Sequence, residues 1–205
     1  MIQILCINLS FANETIYEHL YAQASPERRD RAERYRSRED ALRCVTADAL
    51  LRCVLGTDYT RMEKTSDGKP FLPHRPDFHF NLSHSGNWAA IAWGNSNVGL
   101  DVESLRDDTN IDAISRRFFA EDERKYIFTE AHDRIHRFFE VWTGKESYLK
   151  YLGTGLKKDL TSFSVLSPES GLRLYREVLP DGSLLCLCTT EEEYSLKRLD
   201  VQYLI

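Results

Sequence analysis

At 205 residues the sequence is long enough for one domain or two small ones. Its 29% charged and 42% hydrophobic residues are typical of a soluble globular protein, and no apolar run is long enough to span a bilayer. The net charge of −5 argues against a nucleic-acid partner. The five cysteines form no C-x-x-C pair, which favours reduced thiols in a cytoplasm over a disulfide framework.

The first quarter of the chain predicts a strand and then a basic helix. Residues 1–7 lack the basic region of a secretion signal and predict a strand, so we expect a cytoplasmic protein. Ser25-Pro26 predicts the start of a helix that continues towards Gly56. Its first turns carry a cluster of arginines: Arg28, Arg29, Arg31, Arg34, Arg36 and Arg38. These arginines form either ordinary exposed ion pairs, such as that between Glu27 and Arg31, or a face that binds an anion.

Two strands joined by a polar turn are predicted next. Residues 78–82 alternate apolar and polar side chains, and the apolar run at residues 88–93 is typical of a buried strand. The segment Ser83-His84-Ser85-Gly86 is the predicted turn between them. His84 is then either an ordinary surface or capping residue, or a phosphate ligand beside the hydroxyls of Ser83 and Ser85.

The following strand, residues 98–103, carries two carboxylates. Strand alternation places Asp101 and Glu103 on the face opposite Leu100 and Val102. Two acids separated by one residue are common on solvated strand faces. This pair therefore indicates a cation site only in combination with a further ligand.

The second half predicts helices at residues 111–119, 120–128 and 135–152, followed by strands near residues 162–166, 171–178, 183–189 and 196–205. Glu146 falls in the apolar stripe of the third helix. A core-facing carboxylate is costly unless a cation or several donors compensate it. Together with Asp101 and Glu103, Glu146 suits a hard cation such as Mg²⁺, with Mn²⁺ as an alternative. Lys150, one turn later, either packs its aliphatic stem or stabilises charge in a transition state.

Six motifs follow one another along the chain: Gly68-Lys69-Pro70, Phe80-Asn81-Leu82-Ser83-His84-Ser85-Gly86, Val98-Gly99-Leu100-Asp101-Val102-Glu103, Arg117-Phe118-Phe119, Trp142-Thr143-Gly144-Lys145-Glu146-Ser147-Tyr148-Leu149-Lys150, and Gly153-Thr154-Gly155-Leu156. In this order they resemble the 4′-phosphopantetheinyl transferases of the surfactin-synthetase-activating type. The resemblance extends over most of the chain, from the arginine helix to the glycine turn.

The resemblance implies an α+β fold in which two similar α/β subdomains form a pseudo-dimer within one monomeric chain. We expect an N-terminal half of residues 1–105 and a C-terminal half of residues 106–205, with coenzyme A bound in the cleft between them. The carboxylates from opposite sides of this boundary then meet where ligand pockets tend to form.

The resemblance also implies the reaction. Phosphopantetheine passes from coenzyme A to a serine hydroxyl of an apo acyl or peptidyl carrier protein, which leaves 3′,5′-ADP. By position, the carboxylates resemble the family's Mg²⁺ ligands, Asp101, Glu103 and Glu146. The expected coenzyme A contacts are Ser83 and His84 at the phosphates, Lys150 at the pyrophosphate, Arg28 and Arg31 at the 3′-phosphate, and Lys69 and Pro70 beside the adenine.

These residue types fit the chemistry. Lys150 and His84 are suited to neutralise charge on the leaving group. Glu146, directly or through a water molecule that it orients, is the candidate base for the carrier serine. Two positions depart from the family pattern: Cys44 replaces a small hydroxyl residue near the 3′-phosphate, and Gly144 lies inside the catalytic helix, where it costs about 1 kcal/mol relative to alanine.

Two other functions use the same residues. A Mg²⁺-dependent hydrolase of a phosphodiester or pyrophosphate would use the carboxylates to activate water. A non-catalytic module that binds coenzyme A or a carrier would need no set of three carboxylates, which argues against it. Carriers of the fatty-acid, polyketide, peptide-synthetase and lysine pathways all fit the expected reaction, because each presents a similar helix bearing a serine.

Overall fold

The computed structural model describes residues 1–130 and 132–205, without the side chain of Leu156. Its strands are β1 (Ile2–Asn8), β2 (Glu63–Lys64), β3 (Pro70–Phe71), β4 (His79–Ser85), β5 (Trp88–Gly94), β6 (Val98–Glu103), β7 (Arg173–Val178), β8 (Leu184–Thr189) and β9 (Tyr194–Asp200). Its helices are α1 (Glu14–Gln23), α2 (Pro26–Glu33), α3 (Arg38–Leu55), α4 (Ile111–Phe118), α5 (Glu121–Phe128) and α6 (Arg134–Leu152).

The first sheet has the strand order β4-β5-β1-β9. Strand β1 is antiparallel to β5 and parallel to β9, so the first and last strands of the chain are neighbours. One face of the sheet packs against α1–α3 through an apolar core that includes Leu5, Ile7 and Leu50. Side chains alternate along β1, so Leu5 and Ile7 face the helices and the neighbouring side chains of the strand face the opposite side.

The second sheet has the strand order β6-β8-β7, with both pairs antiparallel. It packs against the first sheet through Ile4 and Cys6 on one side and Leu100 and Leu187 on the other. Helix α6 covers its outer face, with Phe139 in a further apolar core shared by α4 and α5. The layers are therefore helix, sheet, sheet and helix.

The α+β fold with two subdomains is confirmed, because each sheet carries its own long helix. Strands from both sides of residue 105 enter each sheet: β6 pairs with β8, and β9 pairs with β1. The division of the chain at residue 105 stays a prediction.

The basic helix predicted from Ser25 to Gly56 is interrupted, so the prediction of one continuous helix is wrong. Helix α2 ends near Arg34, and Ser37 begins α3 by accepting a hydrogen bond from the backbone N–H of Asp40. A serine side chain favours this capping role over a position inside a helix, because its hydroxyl replaces the missing backbone acceptor. Helix α1 was not predicted.

The strand predicted near residues 162–166 is wrong as well. Residues 160–162 form a short 3₁₀ helix, and side chains take the place of a strand partner in the residues that follow. Glu123 accepts a hydrogen bond from Val165 N at 2.8 Å, and Lys145 donates to Phe163 O at the same distance. The backbone here is satisfied without a sheet.

The cysteines and the apolar character of the helices were both subjects of sequence-based expectations. All five cysteines are free, and four of them are buried, as expected for reduced core thiols. Burial raises the pKa of the Cys6 thiol to about 12, which keeps it protonated and unreactive. In the part of the chain that the structure describes, no helix combines the length and the apolar character that a membrane crossing requires.

Candidate active site

Strands β4 and β6 meet through side chains that bridge the two sheets. Asn81, Ser83 and Ser85 on one face of β4 each accept a hydrogen bond from a backbone N–H of residues 100–104, at 2.9, 3.1 and 3.2 Å. The turn predicted at residues 83–86 is therefore wrong in part, because β4 continues to Ser85. Its polar residues are typical of a turn, but here they satisfy backbone donors of the neighbouring strand.

The same serines contact the carboxylates of β6. Ser83 Oγ donates to Asp101 Oδ1 at 2.9 Å, and Ser85 Oγ donates to Glu103 Oε2 at 2.7 Å. Helix α6 contributes Lys150, whose Nζ donates to Asp101 Oδ1 at 2.7 Å and to Ser83 Oγ at 3.0 Å. The structure thus joins β4, β6 and α6 in one hydrogen-bonded cluster.

Negative charge in this cluster exceeds what the neighbouring groups compensate. Asp101 Oδ2 is buried and has no hydrogen-bond partner among the described residues. Burial and the nearby Asp101 carboxylate raise the pKa values of both Glu103 and Glu146 above their ordinary range. A buried carboxylate oxygen without a donor is costly, and a cation would compensate it. The oxygen-rich donor set suits Mg²⁺.

The oxygens of these three carboxylates do not all lie within 4.8 Å of one another. Direct ligation of one ion by all three therefore requires a side chain to rotate, or a water molecule to replace one contact, which Mg²⁺ commonly retains. Among the described residues, the group that meets this spacing is Glu130, His132 and Asp133, on the surface. Arg137 already lies 3.4 Å from Glu130 and 3.8 Å from Asp133, so that group is compensated.

Two cavities adjoin the cluster and share Glu146 and Lys150 in their walls. The first has a volume of about 340 Å³ and is also lined by Arg28, Ser83, His84, Asp101, Glu103 and Trp142. The second has a volume of about 210 Å³ and is also lined by Asp67, Gly68, Lys69, Pro70, Asn81 and Leu149. Every predicted site residue except Arg31 lines at least one of these two cavities.

Basic groups lie in and near the wall of the first cavity. His84 projects from β4 and stays exposed on one side. Its pKa falls to about 4 because the ring is partly removed from water and because Lys150, Arg43 and Arg31 lie nearby. Arg43 Nη1 donates to Gly86 O at 2.7 Å, which holds the end of the β4–β5 hairpin. Sequence reasoning missed Arg43, because its partner lies 43 residues away and no local pattern links them.

The two arginines predicted to bind the 3′-phosphate differ in position. Arg28 lines the first cavity and pairs with the buried Asp48 at 3.6 Å. Arg31 is exposed, and its Nε donates to Tyr35 Oη at 3.3 Å. Cys44 is buried, with its Sγ 3.9 Å from Arg28 O, so its thiol contacts the backbone of α2.

Lys69 and Pro70 lie in the wall of the second cavity, but the Lys69 ammonium contacts protein oxygens. It donates to Asn97 Oδ1 at 2.7 Å, Tyr151 O at 2.8 Å and Val98 O at 3.2 Å. Burial lowers the pKa of Lys69 to about 8. In this arrangement the ammonium ties the β2–β3 hairpin to β6 and to the end of α6.

Helix α6 lies unusually close to β6 at Gly99. A Cβ atom at Gly99 would overlap the backbone oxygen of Ser147 and the backbone nitrogen of Tyr151. The missing side chain therefore sets the distance between the strand that carries Asp101 and the helix that carries Glu146. Sequence reasoning noted the alternation of β6 but gave Gly99 no role.

A buried ion pair fixes the other side of α6. Lys145 Nζ lies 2.8 Å from Glu123 Oε2, and both side chains are almost fully buried. The ammonium also donates to Leu160 O at 2.7 Å. Burial lowers the pKa of Lys145, and Glu123 opposes that shift. The sequence signal for this pair was Lys145 itself, a charged residue directly before Glu146 in a helix with an apolar stripe.

Comparison with known proteins agrees with this architecture. The family model described as 4′-phosphopantetheinyl transferase superfamily matches residues 97–201, and the one described as 4′-phosphopantetheinyl transferase, N-terminal, matches residues 12–96. The chain is 34% identical to the 4′-phosphopantetheinyl transferase Sfp of Bacillus subtilis (strain 168) over 182 residues, which cover 85% of this chain and 80% of that protein. It is 36% identical to the 4′-phosphopantetheinyl transferase psf-1 of Bacillus pumilus over 187 residues, covering 87% and 77%.

A more distant relative extends the range of organisms. The 4′-phosphopantetheinyl transferase HetI of Nostoc sp. (strain PCC 7120 / SAG 25.82 / UTEX 2576) is 31% identical over 183 residues, covering 84% of this chain and 76% of that protein. The two family models together span the strands and helices that form both cavities. The chain therefore belongs to the 4′-phosphopantetheinyl transferase superfamily, as an enzyme of the surfactin-synthetase-activating type that its sequence motifs predicted.

Proposed function

We propose that this enzyme transfers 4′-phosphopantetheine from coenzyme A to a serine of an apo acyl or peptidyl carrier protein, in a Mg²⁺-dependent reaction that leaves 3′,5′-ADP. The observation that carries the proposal is the buried, unpartnered Oδ2 of Asp101 beside two carboxylates of raised pKa and a lysine. A coenzyme A pyrophosphate placed here would meet Arg28 and Lys150 together with the carboxylates that would hold a cation.

Asp101, Glu103 and Glu146 are the residues that would hold Mg²⁺. The donor set fits this ion, because all three are hard oxygen ligands and Asp101 Oδ2 lacks a protein partner in the described part of the chain. When bound, the ion supplies positive charge at the pyrophosphate oxygens. Ser83 and Ser85 keep Asp101 and Glu103 oriented through their hydroxyl donors.

Lys150 and His84 contribute donors for the phosphates. Lys150 uses two of its three N–H groups on Asp101 and Ser83, which leaves a third for a phosphate oxygen. Without a bound anion the pKa of His84 is about 4, and a phosphate beside the ring would raise it; in either protonation state the ring can donate through a nitrogen. Both groups are aimed at charge that develops on the leaving 3′,5′-ADP.

Glu146 is the proposed base. Its carboxylate has no hydrogen-bond partner among the described residues, and burial raises its pKa. It would accept the proton of the serine directly or through a water molecule that it orients. The carrier serine, whose pKa lies far above neutrality, would lose its proton to this group as it attacks the phosphorus atom.

Mass spectrometry tests the proposal. The enzyme is incubated with coenzyme A, Mg²⁺ and apo carriers of the fatty-acid, polyketide and peptide-synthetase types, with each carrier's serine-to-alanine variant as control. A mass gain of one phosphopantetheine on a carrier, absent from its alanine variant and from samples with chelator, supports transfer. Coenzyme A breakdown without a mass gain selects the hydrolase, and binding without either product selects the non-catalytic module.

A further inference from the structure

A buried aspartate pairs with the arginine of the first cavity. Asp48 in α3 is fully buried, and its carboxylate contacts three side chains besides Ser25. Oδ1 lies 3.6 Å from Arg28 Nε, Oδ2 accepts a hydrogen bond from Arg52 Nε at 3.2 Å, and the Tyr59 hydroxyl donates to Oδ1. A buried carboxylate is stable only with such partners, and it fixes their positions in return.

Asp48 reaches helix α2 by a second route. Ser25 contacts Asp48 through its backbone N and its Oγ, each at 3.4 Å. The Ser25 hydroxyl also caps α2 by accepting a hydrogen bond from Arg28 N at 3.3 Å. The backbone and the guanidinium of Arg28 are therefore both linked to one carboxylate.

The orientation of Arg28 suits an anion. Its Nε faces Asp48, and its two terminal nitrogens make no hydrogen bond to the residues that the structure describes. Two parallel N–H donors match the oxygens of a phosphate. Arg28 lines the cavity with Ser83 and His84, whereas Arg52, the other arginine on Asp48, lies outside that lining.

We propose that Asp48 is a positioning residue that holds Arg28 ready for the 3′-phosphate of coenzyme A, and that it thereby sets a preference for 3′-phosphorylated nucleotides. The inference rests on the proposed function. Two effects of Asp48 oppose each other: its charge repels an anion, and its contact orders the arginine. Water in the open cavity screens the repulsion, while bidentate recognition depends directly on the arginine's order, so ordering dominates.

Calorimetric binding of 3′,5′-ADP and 5′-AMP, without metal or carrier, separates these effects. We expect Asp48→Asn to raise the Kd for 3′,5′-ADP about tenfold, as for a weakened charge-assisted hydrogen bond, and to leave the Kd for 5′-AMP within about twofold. Arg52→Gln is the matched control, since it disturbs the same buried cluster without touching the cavity. It should leave the ratio of the two Kd values unchanged.

A double-mutant cycle completes the test. In an Arg28→Ala background, Asp48→Asn should produce no further loss of 3′,5′-ADP affinity, because the positioned group is already gone. Circular dichroism identifies any variant that does not fold, and Asp48→Ser, which keeps an acceptor for Tyr59, then replaces Asp48→Asn.

Three results would overturn the inference. Asp48→Asn could bind 3′,5′-ADP more tightly than the wild type, or it could weaken the binding of both nucleotides equally. In the Arg28→Ala background, Asp48→Asn could still cause its full loss of 3′,5′-ADP affinity. If the wild-type protein binds both nucleotides equally, the inference also fails, because Arg28 then does not recognise the 3′-phosphate. The mass assay then reports independently whether phosphopantetheine transfer occurs, so the two failures are distinguishable.

Discussion

Individual carboxylates in the site differ in how the protein compensates them. Asp101 accepts hydrogen bonds from Lys150 and Ser83 through Oδ1, and Glu103 accepts one from Ser85. Glu146 has only the more distant charge of Lys150 to oppose its burial. Glu146 is thus partly buried without a direct hydrogen-bond donor among the described residues, which suits a group that takes up a proton or contacts a cation.

Glu146→Gln tests the role of that charge. The variant keeps the shape and one acceptor oxygen, but it cannot take a proton from the carrier serine. We expect kcat to fall by about two orders of magnitude or more at saturating Mg²⁺, in line with the loss of general-base catalysis. Steady-state kinetics measures this, and a variant with near-native kcat would remove Glu146 from the proposed mechanism.

The same substitution changes how stability depends on pH. The folded-state pKa of Glu146 lies above its ordinary value of 4.5, so the folded protein binds the proton more tightly than the unfolded chain. Ionisation therefore lowers stability as pH rises through the folded-state pKa. We expect metal-free Glu146→Gln to melt at a higher temperature than the wild type at pH 8. This advantage should disappear below pH 4.5, and an unchanged difference in Tm across that range would contradict the raised pKa.

Asp101→Ala tests the cation site. Removing the carboxylate eliminates the unpartnered Oδ2 and leaves Lys150 without its ion-pair partner. We expect nearly all turnover to be lost, together with any Mg²⁺-dependent rise in Tm of the protein with coenzyme A. Asp107→Ala is the control, because this nearby acid is exposed. Full activity of Asp101→Ala after chelator treatment would exclude Asp101 as a metal ligand.

At the scale of elements, the approach of α6 to β6 determines the site. Gly99 permits the approach on one side, and on the other Gly144 faces Val165, where an added Cβ would lie 3.0 Å from Val165 Cγ2. The sequence-based expectation that Gly144 only weakens the helix is thus incomplete. A glycine here also permits close packing, which offsets part of its conformational cost.

Gly99→Ala and Gly144→Ala form a matched pair. The Cβ at Gly99 meets backbone atoms of α6, so the helix must move and we expect a loss of about 3 kcal/mol in unfolding free energy. The Cβ at Gly144 would lie 3.0 Å from Val165 Cγ2 and 3.2 Å from Val165 Cβ, contacts that a shift of a few tenths of an ångström relieves. The gain in helix propensity compensates for that shift, so we expect a change within about 1 kcal/mol. Urea unfolding measures both. Equal effects would show that α6 tolerates displacement from β6.

Sequence patterns predicted these elements where the signal was local. The alternation of β6 and the apolar stripe of α6 placed Asp101 and Glu146 in the walls of one cavity. Patterns failed where side chains from distant segments replaced backbone partners. Ser83 resembles a turn residue, but in the fold its hydroxyl accepts a hydrogen bond from a backbone N–H of β6. Val165 resembles a strand residue, but its N–H donates to the Glu123 carboxylate and not to a neighbouring strand.

At the scale of the molecule, strands that are distant in sequence pair with each other. Strand β6 pairs with β8, and β9 extends the first sheet beside β1. The apolar core between the sheets contains Ile4, Leu100 and Leu187, so early and late parts of the chain bury one another. Side chains from β4, β6 and α6 line the first cavity, which links folding of the whole chain to formation of the site.

Separated halves test this coupling. A fragment of residues 1–105 would leave β6 without β8 and would remove Leu185 and Leu187 from the core between the sheets. A fragment of residues 106–205 would lose β6 beside β8 and β1 beside β9. We expect neither fragment alone to melt cooperatively, because each loses a large part of its apolar burial. The intact chain should melt in one transition, and a mixture of the fragments should recover part of it. Calorimetry and circular dichroism measure this, and a cooperative transition in either fragment alone would show that the halves fold independently.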